Sequence, residues 1–198
     1  DVIYIIGNDI TVTERINVTK SNLSLRGSGF GTILQTTDSL GPTISVINAD
    51  GFSLCMLKVA TFASGTLDGL YVSGSNNVSV HNVNFFGCTR AGISFNGGTT
   101  HTVASSLVSI CTSYGVYSKD TLGLSIIDSN ITNNSGYGVY AEEGTGAVAV
   151  GLSIDNTFVK WNGVNDLYIG PGVLATVARG GSDIDQTKII NSGSLFYD

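Results

Sequence analysis

Four segments of the chain begin with glycine and continue in the same alternation: Gly69-Leu-Tyr-Val, Gly92-Ile-Ser-Phe, Gly115-Val-Tyr-Ser and Gly138-Val-Tyr-Ala, each 23 residues after the last. A fixed interval constrains a fold strongly, because every other column must keep the same register. Here it does. Val80, Val103 and Ile126 are 23 apart, Phe62, Phe85, Val108 and Ile131 repeat the step, and Cys88, Cys111 and Asn134 form a third column. Beyond Asn134 the step lengthens to 28, reaching Ile154, Val159, Asn162 and Leu167-Tyr168-Ile169, with Glu143 to Gly151 as the inserted loop.

Each unit holds three short alternating strands, as in Val78-Ser-Val80, Val83-Asn-Phe85 and Ile93-Ser-Phe95, separated by Gly, Asn and Thr corners. Such a unit cannot bury its apolar side alone. If each unit makes one turn and every strand pairs with its counterpart in the next turn, about 4.8 Å away, like residues stack inside. The expected fold is therefore all-β: a parallel β-helix of about eight coils of roughly 23 residues, three strands per coil. A β-sandwich would instead show hairpin turns at shorter spacing and no 23-residue self-match.

Composition agrees with coils and not with helices, since Asn, Ser, Thr, Val and Ile outnumber the good helix formers. No apolar run approaches the roughly 18 to 20 residues of a membrane span. With 9 Lys+Arg against 15 Asp+Glu, the net charge of -6 offers no basic surface for a phosphate backbone, so nucleic acid is not an expected partner. One domain is expected over 1–198, with irregular coils over 1–65, regular ones over 66–142 and looser ones over 143–198. The chain opens inside a strand, with neither an initiator Met nor a signal segment, and is expected to be part of a longer one.

Three cysteines, Cys55, Cys88 and Cys111, match no metal-ligand spacing, and neither metal nor cofactor is expected. In the column Cys88, Cys111, Asn134, Asn162, inward Asn side chains can bond backbone and one another in a ladder, and Cys fills the same place as a buried thiol. A Cys88–Cys111 disulfide is the other reading. In-register stacking, however, directs both side chains the same way.

The opening residues, from Asp1-Val-Ile-Tyr-Ile to the coil Asn22-Leu-Ser-Leu-Arg-Gly-Ser-Gly29, resemble the first two coils of the right-handed, pectate-lyase-like parallel β-helix superfamily. The likeness extends over nearly the whole chain and implies fold, not reaction, since the superfamily includes lyases, hydrolases, epimerases and phage tail spikes. Low charge, free thiols and Gly/Ser/Asn-rich coils look most like the β-helix of a bacteriophage tail spike or appendage. That resemblance implies a virion protein, usually a homotrimer, that binds and often cleaves bacterial surface polysaccharide. Tyr114-Gly-Val-Tyr and Tyr137-Gly-Val-Tyr lack the Asp-Pro-His of the family's epimerase motif.

In the glycine-led strand the residue after Gly is expected to point inward and the next one outward. This places Tyr71, Ser94, Tyr117, Tyr140 and Tyr168 in one outward column. Three readings stand: a cross-strand ring ladder, a flat glycan-binding strip, or a subunit interface. Two residues further on, Ser73, Asn96, Lys119 and Glu142 also face out, with a Lys119–Glu142 ion pair expected. Asp120 and Glu143 stack as a like-charge pair at about one strand spacing, which meets the separation of a retaining glycosidase. Asp120, Glu142 and Glu143 are the candidate catalytic acids, though nothing apolar flanks them. Asp68, Asp128, Asp155 and Asp166 are read as turn residues, His81 and His101 as surface residues, and Arg90 as a solvated corner or a residue with a lyase-like role. Asn-x-Ser/Thr sequons at Asn17, Asn22, Asn77, Asn130 and Asn133 follow from composition. No Thr column recurs at the 23-residue step.

Overall fold

The computed structural model describes residues 1–37, 39–61, 65–144, 150–178 and 181–198. Every strand pairing is parallel, and the chain winds through eight coils before Ser194–Tyr197 starts a ninth. Coil five is representative, with Thr99–Ala104 on the first face, Leu107–Ser109 on the second and Tyr114–Lys119 on the third. In coils three and four the first two strands run on as one continuous strand, Ser53–Thr61 and Ser79–Phe86. These bend at Met56 and Asn82, both at positive φ. One 3-10 turn, Gln186–Lys188, interrupts the strands, and among the described residues no helix is long and apolar enough to cross a membrane. At about 4.8 Å per coil the rod is roughly 40 Å tall.

The core consists of the expected columns. Leu54, Val80, Val103, Ile126, Ile154 and Val177 stack inside the first face. On the second face Val59, Phe85, Val108, Ile131, Val159 and Ile184 stack. Val59 is thus the partner of Phe85, and Phe62 lies outside the described residues. On the third face Leu70, Ile93, Val116 and Val139, each after a glycine, and Leu167, after Asp166, are fully buried.

The Asn ladder forms and extends further than expected. Asn134 Oδ1 accepts from the Cys111 N–H at 3.0 Å, Asn134 Nδ2 donates to Asn162 Oδ1 at 2.9 Å, and Asn162 Nδ2 donates to Asp166 Oδ1 at 2.9 Å. Asp166 is therefore a buried terminus of the ladder, not a solvated turn residue, while Asp128 keeps its turn role at φ 51, accepting from Asn156. Cys88 and Cys111 are buried free thiols, and that of Cys88 is pushed up by its contact with Cys111 and by burial.

His101 is not on the surface. Inward alternation in Thr99–Ala104 aligns it with buried Leu124, and its ring stacks on Phe95 at 4.6 Å. Its Nδ1 accepts from the Val78 N–H at 3.3 Å while Nε2 faces Gly97 O at 3.2 Å, an arrangement that suits neutral imidazole. Burial lowers its pKa accordingly.

Candidate functional site

The third face carries the candidate site. Tyr71, Ser94, Tyr117, Tyr140 and Tyr168 are register partners in successive strands, as the alternation requires. The Tyr117 and Tyr140 rings stack at 5.7 Å, and Tyr140 and Tyr168 lie nearly parallel at 4.2 Å. Ser94, by contrast, is fully buried although it faces outward. Arg90 covers it, donating to Ser94 Oγ at 2.8 Å and lying over the Tyr117 ring at 5.5 Å.

A second tyrosine column, which strict alternation does not predict, stands beside the first. Tyr114 and Tyr137 are register partners, stacked at 5.9 Å. Strict alternation from inward Val116 would turn Tyr114 into the core. The alternation breaks because Gly115 and Val116 are both buried, and a Cβ on Gly115 would meet Ile131 and the Gly138 carbonyl. The strand enters the face through that glycine, which leaves Tyr114 half-exposed beside Tyr117 at 5.1 Å. The two columns are inclined: Tyr114 to Tyr140 at 64°, Tyr137 to Tyr140 at 75°, Tyr137 to Tyr168 at 72°. Five half-exposed rings therefore form one continuous aromatic cluster over coils five to seven.

The acids divide by what they touch. Glu142 does not pair with Lys119, its register partner. Its Oε1 accepts from the Tyr117 hydroxyl at 2.5 Å and its Oε2 from the Tyr140 hydroxyl at 3.2 Å. Burial pushes the phenol of Tyr117 upward, reinforced by the hydrogen bond to Glu142 and its charge. Tyr140 shifts upward for the same leading cause, then through Glu142 and Tyr168, and Tyr114 through burial and the Glu142 charge. Asp120, at φ 53, accepts from the Gly144 N–H at 2.5 Å. Glu143 turns its carboxylate toward the next coil, into the space a Cβ on Gly172 would need. Residues 145–149 of the inserted loop lie outside the described residues.

Asp68 and Arg90 are neither a turn residue nor a solvated corner. Asp68 is buried and accepts from Arg90 Nε at 2.8 Å and from the Ala91 N–H at 3.1 Å. Burial, opposed by the Arg90 charge, pushes its carboxyl up to about 6. Beside this pair opens a cleft of about 250 Å³, lined among others by Arg15, Pro42, Ile47 and Tyr71. Among the described residues no cluster of His, Cys, Asp and Glu could hold a metal ion.

A rod of parallel coils with one aromatic face defines a class of solenoid protein. The family model for the right handed beta helix region matches residues 3–189, and the chain belongs to that family. No curated protein matches it in sequence. Among solved structures, pectate lyase Pel9A superposes with a TM-score of 0.79 at 16% identity, covering 99% of this chain and 59% of that one. The A-module of the Azotobacter vinelandii mannuronan C-5 epimerase AlgE4 gives 0.70 at 15%, covering all of this chain and 68% of that module. ORF18 of Geobacillus virus E2 gives 0.71 at 14%, covering 92% and 44%. The chain thus spans about three fifths of the length of the Pel9A structure. At these identities the likeness is one of pectate-lyase-like fold.

Proposed function

We propose that this chain is a structural and receptor-binding module of a phage tail spike or appendage, a virion protein that holds bacterial surface polysaccharide on its tyrosine face. One observation carries the reading: five half-exposed tyrosine rings, 4.2 to 5.9 Å apart, form one continuous aromatic strip along the rod axis. A phenol offers an apolar face to a sugar ring and a hydroxyl to its polar edge. The tyrosines recur once per coil along the rod, so their exposed edges and hydroxyls line up in the direction a linear sugar chain would take. The viral neighbour supports a virion source, and homotrimeric assembly belongs to the same reading.

Cleavage by Asp120, Glu142 or Glu143 is the competing reading, and polysaccharide-active neighbours favour it. Against it, Glu142 is engaged by two phenols and Asp120 by a backbone N–H, so neither carboxylate faces an open groove unencumbered. The test is to incubate the chain with purified capsular and O-antigen polysaccharides, following binding by calorimetry and reducing ends by colorimetry. Binding without release of reducing ends supports the proposal. Release that disappears in Glu143→Gln or Glu142→Gln assigns an enzyme instead.

A further inference from the structure

We infer that the tyrosine strip selects a protonated amino sugar, and that Glu142 is the residue that positions its phenols for that choice. The inference rests on the glycan-binding reading and names the substrate class for the same face.

A phenol carries one proton, and those of Tyr117 and Tyr140 are both donated to Glu142. Their oxygens can therefore only accept from a ligand. A sugar meeting this part of the strip must bring donors, and an ammonium brings three without any acceptor. Within the stack the faces of Tyr117, Tyr140 and Tyr168 are turned onto one another, so a cation meets a ring face at an end of the stack, and a ring face attracts cations. The protein already uses that attraction, since Arg90 lies over Tyr117 at the other end of the stack.

Charge points the same way. Arg90 is spent on Asp68 and Ser94. On the outward side of the third face over coils five to seven the remaining charged groups are Lys119 against Glu142, Asp120 and Glu143, and Lys119 makes no ion pair with Glu142 among the described residues. A polyanion would meet a carboxylate and a bank of acceptor oxygens, whereas an amino sugar finds both complementary.

Three probes separate the outcomes: glucosamine oligomers with the amine protonated, their N-acetylated counterparts, and oligogalacturonate. The wild-type chain is expected to bind the glucosamine oligomer about tenfold more tightly than the N-acetylated one, the scale of one cation–π and carboxylate contact. Oligogalacturonate is expected to bind weakest. Glu142→Gln should abolish the preference, so that the charged and neutral oligomers bind equally. A ligand-free readout accompanies this: ultraviolet titration should show late-ionising phenols in the wild type that ionise earlier in Glu142→Gln. Equal binding of charged and neutral oligomers, a preference for oligogalacturonate, or an unchanged phenol titration would overturn the inference and leave the glycan reading standing. Binding of none of the three, together with no binding to the bacterial polysaccharides, would remove both.

Discussion

The guanidinium of Arg90 lies across Ser94, bonded to its Oγ at 2.8 Å, and fills the one place in the outward column where a ring is missing. Tyr117 therefore packs against a cation on one side and against Tyr140 on the other. Asp68, which anchors that cation, sits beneath the face with little access to water.

The first prediction concerns this anchor and pH. Burial raises the Asp68 carboxyl to about 6 in the folded chain, above the unfolded value of about 3.9. Folding then binds a proton between those values, so the Asp68 contribution is fully present below about pH 4 and is lost as pH rises through about 6. The loss amounts to no more than about 3 kcal/mol. His101 has the opposite sign: its lowered pKa gives stability that is present above the unfolded value of about 6.5 and lost as pH falls. Urea midpoints measured from about pH 4 to 8 should fall less with rising pH in Asp68→Asn than in the wild type. Identical slopes would refute the assignment.

A second prediction tests the coil register. Val108 lies between Phe85 and Ile131 in a fully buried column, so Val108→Asp places a charge between apolar neighbours. The cost should be several kcal/mol, read as a large drop in Tm. An unchanged Tm would mean that the column is not inside.

Corner strain provides the third. Gly87, Ile110, Asn133 and Trp161 occupy one left-handed corner column at φ 56 to 66°, and Ile110 is 53% exposed. A β-branched residue is strained there without any burial in return. Ile110→Asn should stabilise the chain by about 1 kcal/mol, and a lower chemical-denaturation midpoint would contradict this.

Inside the third face, Ser118 is buried between Phe95 and Ala141 with a hydroxyl that has no partner. Ser118→Ala removes an unpaired buried group, and a gain of about 1 kcal/mol is the fourth prediction. Loss of stability would show that the hydroxyl is satisfied.

Columns of strict period were legible in the sequence because stacked coils impose it: the core of Val80, Val103 and Ile126, the Asn ladder and the outward Tyr71 to Tyr168 row all follow from the step of 23 or 28. A hydroxyl column, Ser79, Thr102, Ser125, is equally periodic but mixes serine with threonine, so it is not a threonine column. What the period could not reveal lay where local backbone departs from alternation or where side chains reach across coils. Tyr114 turns outward only because Gly115 and Val116 both face the core. Asp68 and Arg90 are 22 residues apart and on different coils, and Glu142 chooses phenols over the lysine beside it. These contacts depend on side-chain reach, which column arithmetic does not contain.

The central claim is that the tyrosine strip holds the glycan, and Tyr140, stacked on both Tyr117 and Tyr168, is its middle. The most direct measurement is the affinity of wild type and Tyr140→Ala for an array of purified bacterial capsular and O-antigen polysaccharides, with folding monitored by Tm. The account predicts that whichever polysaccharide binds the wild type loses about tenfold or more in the variant, as one ring contact of roughly 1 to 2 kcal/mol implies, while the chain stays folded with a lower Tm from the lost ring contacts. Unchanged affinity in a folded Tyr140→Ala chain would contradict it.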